Sequence, residues 1–146
     1  MIPLIKIGFT GTQLGMSLSQ HDALRGFLLG ATLGYDNAEF HHGDCIGADA
    51  QAHDIAFSLS LSLVLHPPED PKKRAWKESP NSPIRIFPAL DYRDRNRMIV
   101  SETDLLVAAP KMFKEEQRSG TWMTIRMARI AKKPVFIIWP DGTFAS

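Results

Sequence analysis

Cysteine is nearly absent: Cys45 is alone in 146 residues. No disulfide can form within the chain, and no multi-cysteine metal centre can be built. Long apolar runs are also missing, since none approaches the roughly 18–20 residues that a membrane-spanning helix requires. The N-terminal residues lack the basic, then apolar, then small-residue order of a secretory signal. A cytoplasmic location with no membrane partner is therefore expected. Net charge is scarce too, with 17 basic against 16 acidic residues for a formal charge of +1. A protein that works mainly by gripping a polyanionic backbone usually carries a basic excess, and here the basic residues gather only locally, from Lys72 to Arg97. What remains is an ordinary globular composition, 44% apolar and 23% charged, in a length that suits one domain over residues 1–146.

The apolar segments punctuate the chain as strands and helices in alternation. Leu4 to Phe9 reads as a buried strand that stops at Gly8-Phe9-Thr10-Gly11-Thr12. Ser19 with Asp22 three residues on has the form of a capping box, and Leu24, Phe27, Leu28 and Ala31 recur at helical spacing, predicting a helix to about Leu33. Glu39 to His42 is a brief strand ending in Gly43-Asp44-Cys45-Ile46-Gly47-Ala48-Asp49, after which Ala48, Ala52, Ile55 and Leu59 form a helical apolar stripe. Leu61 to Leu65 reads as a third strand. Between Pro67 and Pro88 lie six of the ten prolines, and no regular element is expected there. A helix follows from about Tyr92 to Ser101, then a buried strand from Asp104 to Ala109 and a polar loop from Lys111 to Arg118. Ser119-Gly120-Thr121 opens a last helix with Met123, Met127, Ile130 and Ala131 on one face, and Pro134 to Trp139 is the final strand.

This alternation predicts an α/β fold with a mostly parallel sheet of about five strands and helices on both faces. Ligands in such sheets sit beyond the carboxyl ends of the strands, where strand order reverses, and three glycine-containing turns fall at strand ends. In the first, Gly8, Gly11 and the hydroxyls of Thr10 and Thr12 suit a phosphate, and equally suit a tight turn. In the third, Ser119, Gly120 and Thr121 stand at a helix start whose first N–H groups lack intrahelical partners. Ser119 also serves as an ordinary N-cap, which leaves Gly120 without a structural reason. The second turn, with Gly43, Asp44, Gly47 and Asp49, brings carboxylates that would repel a phosphate. It suits ribose hydroxyls or a reacting centre, or one carboxylate caps the helix.

Arg93, Arg95 and Arg97 alternate along a helix start, so they cannot share a face. Arg95 is the favoured phosphate ligand, with Arg97 second. His42, Asp44, Asp49 and His53 show no recognised metal-ligand spacing, and neither a metal nor a cofactor is called for. Cys45 reads as a buried small hydrophobe, and Trp76 and Phe87 as packing residues that can also stack on a base.

Taken together, the early strand with GFTGT, the turn HGDCIGADA, RNRMIV before DLLVAAP, and RSGTWMTIRMA before PVFIIWP resemble the SLOG superfamily. That Rossmann-like group includes DNA-processing protein A, the YspA-type proteins and the LONELY GUY-type phosphoribohydrolases. The resemblance spans nearly the whole chain and implies a Rossmann-like three-layer sandwich with a nucleotide-derived ligand on these loops. It adds Asn96 and Thr124 to the candidate ligand-binding residues and implies self-association as a homodimer. The phosphoribohydrolase signature PGGxGTxxE places its catalytic glutamate on Thr124 here, and Glu116-Gln117-Arg118-Ser119 replaces the Pro-Gly-Gly lead-in, whereas Arg95 matches the family arginine. The SGT-x-x-T arrangement looks more like the DNA-processing and YspA-type branches, which bind or sense.

The leading expectation is a module that binds a nucleotide-derived small molecule, ADP-ribose-like in character, for sensing, sequestration or delivery. One alternative is an N-glycosidic-bond hydrolase with a relocated acid, in which Asp44 or Asp49 supplies the missing carboxylate and Arg95 holds the phosphate. The other is single-stranded nucleic-acid binding, with Lys72, Lys73, Arg74 and Lys77 lining a groove.

Overall fold

The computed structural model describes residues 2–77 and 84–146. Seven strands form one sheet in the order β4-β3-β2-β1-β5-β6-β7, with β1 Ile2–Gly11, β2 Tyr35–His42, β3 Ser62–Leu65, β4 Ile84–Ile86, β5 Leu105–Ala109, β6 Val135–Ile138 and β7 Phe144–Ala145. Every neighbouring pair is parallel except β6 with β7. Helices α1 Leu18–Ala31 and α2 Ala48–Ser58 cover one face, and α3 Tyr92–Glu102 and α4 Gly120–Ile130 cover the other. This is the α/β sandwich expected from the sequence.

The alternation of side chains along the central strands builds two cores. Ile5, Ile7 and Phe9 of β1, with Val107 and Ala109 of β5, pack against Leu24 and Leu28 of α1 and Ala48, Ala52 and Ile55 of α2. Leu106 and Ala108 face the other way, onto Ile99, Val100, Trp122, Ile125 and Ala128. Gly8 belongs to this second face. A Cβ there would stand 2.9 Å from Thr103 Oγ1 and 3.2 Å from the Ile99 side chain, so the glycine admits the end of α3 against the sheet.

Four local expectations are corrected. The capping box uses Ser17 and Gln20, two residues earlier than Ser19 and Asp22: the Ser17 hydroxyl accepts from the Gln20 N–H, and the Gln20 carboxamide accepts from the Ser17 N–H, both at 3.0 Å. The same Gln20 is buried, and its Nε2 donates to the carbonyls of Pro110 and Ile138, tying α1 to the ends of β5 and β6. The proline-rich segment does contain a regular element, β4, paired with β3 through Leu63–Ile84, Val64–Arg85 and Leu65–Ile86. A strand of three residues can form at a sheet edge where β3 offers backbone groups to pair with. Pro80 and Pro83 of that segment lie outside the described residues. The buried stripe of α4 is Thr121, Trp122, Ile125 and Ala128, whereas Ile130 is 83% exposed and Ala131 caps the helix in solvent. The final hairpin strand β7, too short to show a period, brings the count to seven rather than about five.

Candidate functional site

Winding proceeds from β1 outward through β2, β3 and β4, then returns to β5 on the other side of β1. The reversal of strand order therefore lies between β1 and β5, and a crevice of about 340 Å³ opens beyond their carboxyl ends. One wall is the end of β1 and the turn after it, from Thr10 to Leu14. Thr12 is pinned there by its N–H to the Ala109 carbonyl at 3.1 Å and its carbonyl to the Ala48 N–H at 2.9 Å. Its hydroxyl accepts from the Leu14 N–H at 3.1 Å, which leaves the hydroxyl proton free to donate into the crevice.

The facing wall is the start of α4. The Ser119 hydroxyl caps the helix by accepting from the Trp122 N–H at 3.3 Å. The N–H groups of Gly120 and Thr121 have no acceptor among the described residues, and a Cβ at Gly120 would meet nothing within 4 Å. A helix N-terminus with two unfilled donors and no side chain over it is suited to an anion.

Phe9 and Ile99 supply the apolar part of the floor, and Asp49, Arg95, Asn96 and Cys45 the polar part. Arg95 is buried, with Nη1 donating to the Gly43 carbonyl at 2.7 Å, the His66 carbonyl at 3.4 Å and Cys45 Sγ at 3.3 Å. Its Nε donates to Asn96 Oδ1 at 2.7 Å. Asp49 Oδ2 accepts from the N–H groups of Gly43 and Cys45, each at 3.2 Å, whereas Asp49 Oδ1 is buried without a hydrogen-bond partner. The cation and the carboxylate thus both hold the backbone of the second turn rather than each other. Gly43 makes this convergence possible, because a Cβ there would collide with the Arg95 guanidinium and stand 2.9 Å from Asp49 Oδ2. Burial pushes the Asp49 carboxyl up to about 6, against the opposing pull of Arg95 and of the two N–H donors. Burial, with Asp49 beside it, also raises the Cys45 thiol, so Cys45 is a neutral neighbour and not an activated nucleophile.

Thr10, Gly11, Thr12, Asp49, Arg95, Asn96, Ser119, Gly120 and Thr121, all singled out in the sequence, come together in this crevice. Six others do not. Gly8 and Gly43 stand behind it as packing positions. Gly47 takes φ +90° with its Cα pressed on the Gln13 backbone, a position that shapes the turn. Asp44 is fully buried on the far side, bound to Arg74 Nε at 2.9 Å and to the Lys77 N–H at 3.0 Å, where it anchors the loop of residues 70–77. Arg97 projects into solvent and pairs with Asp94 at 3.2 Å, as helical spacing from Arg95 dictates. Thr124 is fully buried, and its hydroxyl donates to the Gly120 carbonyl at 3.0 Å. Neither Trp76, under the Arg74 guanidinium, nor Phe87, against His66, lines the crevice.

The rim residues Gln13, Leu14, Lys111, Glu116 and Arg118 were missed in the sequence. A signal was present: the Lys111–Arg118 loop directly follows β5, and loops at strand carboxyl ends line such sites. Lys111 pairs with Glu116 at 3.8 Å, and Arg118 has no acidic partner among the described residues.

No protein-family model and no curated protein sequence matches the chain. Solved structures do. TM1055, a structural genomics target, aligns with TM-score 0.58 and 18% identity over 92% of this chain and 72% of its own. DNA processing protein A from Streptococcus pneumoniae aligns with TM-score 0.64 and 17% identity, over 92% of this chain and 50% of that one. The Helicobacter pylori protein of the same name, described for its single-stranded DNA binding mode, aligns with TM-score 0.59 and 16% identity over 91% of this chain and 64% of that one. The chain has the α/β fold of these proteins and spans a half to two thirds of the two DNA processing proteins.

Proposed function

We propose that the chain binds a phosphate-bearing, nucleotide-derived small molecule in the crevice between β1 and β5. The observation that carries this reading is the meeting, at the reversal of strand order, of the Thr10–Thr12 turn, the unfilled N-terminus of α4 and the buried Arg95. Those are donors of fixed position around a concave space of ligand size. The likeness in fold to the DNA processing proteins, one of them described for its single-stranded DNA binding mode, supports a nucleotide or nucleic-acid binding fold without naming the ligand.

Binding is favoured over hydrolysis. Thr124 offers no carboxylate and is packed away, Asp44 is committed to Arg74, and Asp49, the acid of the second turn that reaches the crevice, has Oδ2 tied to the Gly43 and Cys45 N–H groups and Oδ1 buried. Incubation with nucleoside monophosphates, NAD and ADP-ribose is expected to release no base by chromatography. A small ligand is also favoured over a nucleic-acid strand, because Arg74 is held by Asp44, Lys77 pairs with Asp54 at 2.8 Å, and none of Lys72, Lys73, Arg74 and Lys77 lines the crevice. Thermal-shift and calorimetric titration with mononucleotides, dinucleotides, ADP-ribose and inorganic phosphate tests the reading. A true ligand at a hundredfold excess over its Kd stabilises the fold by about 2.7 kcal/mol. Silence across that panel, with salt-sensitive binding of single-stranded oligonucleotides in its place, overturns it.

A further inference from the structure

We propose that Asp49 reads a sugar hydroxyl, so that the crevice selects ribose phosphates over their deoxy forms. This rests on the reading of the crevice as a phosphate site and adds a second recognition element to it. The starting observation is an imbalance at the carboxylate. Oδ2 is fully engaged by the Gly43 and Cys45 N–H groups, and Oδ1 is buried with no partner, on a residue that is only 7% exposed. A buried acceptor left unmet is costly, and on a residue that lines the crevice it can be met by a donor carried by the ligand. The aspartate χ2 torsion is soft, so a small turn of the carboxylate can bring Oδ1 towards that donor.

The surroundings narrow the donor. An ammonium would sit beside the guanidinium of Arg95, with Lys111 and Arg118 at the rim, and like charges repel. A neutral hydroxyl meets no such opposition. The anionic part of the ligand belongs at the α4 N-terminus and Arg95, since placing it on Asp49 would set two negative charges together. A molecule carrying a phosphate and a ring hydroxyl a few bonds away satisfies both ends, and a ribose phosphate is the simplest such chemistry. Oδ1 has no hydrogen-bond partner within the protein, so a hydroxyl reaching it gains a charge-assisted bond without breaking one already made to the chain.

Asp49→Asn gives the sharp test. With its oxygen accepting from Gly43 and Cys45, the asparagine must place its NH2 where Oδ1 was, turning an acceptor into a donor at constant size. Calorimetric titrations of the wild type and this variant would use AMP, 2′-deoxy-AMP, 3′-deoxy-AMP, ribose 5-phosphate and inorganic phosphate. In the wild type, removing at least one of the two hydroxyls is expected to weaken binding by about tenfold or more. In Asp49→Asn that ratio should shrink to about twofold while inorganic phosphate binds at least as well as before. A wild type that binds AMP and both deoxy forms alike overturns the inference but leaves the phosphate site standing, as does a variant that keeps the ribose preference. Failure of every probe, phosphate included, overturns the phosphate reading and the inference with it. Should the variant not fold, the wild-type ratios decide alone.

Discussion

Asp49 is a buried carboxylate that costs the fold stability when charged. Its carboxyl ordinarily titrates near 3.8 and burial raises it to about 6 in the fold. A group whose folded value is raised contributes its full share of stability below the unfolded value and loses it as pH rises through the folded one. The charged form at neutral pH therefore costs stability, at most about 3 kcal/mol for a shift of this size. Asp49→Asn removes that cost, so its melting temperature relative to wild type should climb between pH 4 and pH 7, read by calorimetry in the absence of ligand. A difference independent of pH would show that Asp49 is not charged against a penalty. Thr10 offers a complementary case. It is buried on the crevice wall, and Thr10→Val keeps its shape while deleting the hydroxyl. Phosphate affinity should drop by several-fold or more with the unfolding midpoint little changed.

At the level of elements, the glycines that open α2 and α4 carry opposite meanings. Gly47 precedes α2 at φ +90°, and any Cβ there runs into the Gln13 carbonyl, so Gly47→Ala is expected to cost more than about 2 kcal/mol in denaturant unfolding. Gly120 opens α4 with free space around it, and Gly120→Val should change stability by less than about 1 kcal/mol. Its effect falls on the ligand, because the side chain covers the unfilled N–H groups, and binding should weaken at unchanged stability. If Gly120→Val binds phosphate ligands as wild type does, the anion does not sit on α4. Thr124→Glu would drive a carboxylate into the core below α4, and loss of stability is the expected result.

For the molecule as a whole, four histidines are buried in two pairs, His41 with His66 and His42 with His53, each with ring nitrogens 2.9 Å apart. Tautomers follow from the outer partners. His42 Nδ1 accepts from the Asp44 N–H at 3.0 Å, so its Nε2 donates to His53 Nδ1. His41 Nε2 faces the Glu39 carboxylate at 2.8 Å, and so donates to it, leaving Nδ1 to accept from His66. Burial lowers all four, His66 to about 3 with His41, Arg95 and Arg85 adding to the effect. Below the ordinary value of 6.5 the unfolded chain takes up protons that the native chain refuses, so this stability is complete above that pH and is lost towards pH 3. Asp49 acts in the opposite sense between 3.8 and about 6, one group against four. The denaturant midpoint should fall steadily from pH 7 to pH 4, and a flat or rising profile would contradict neutral buried histidines.

The sequence by itself determined the α/β class and eight of the residues that meet in the crevice, to which the family resemblance added Asn96. Both follow from local rules: strand and helix periods are set by neighbours in the chain, and strand-end glycines and hydroxyls mark the turns. Only the tertiary structure decided which way the two aspartates of the second turn face. Asp44 and Asp49 are chemically alike on paper, and what separates them is Arg74 arriving from 30 residues away to claim one, while Arg95 and Gly43 leave an oxygen of the other unmet. The edge strand β4 and the closing β7 were hidden for the same reason. Three and two residues cannot express a period, and they are strands only because β3 and β6 present open edges for them to complete.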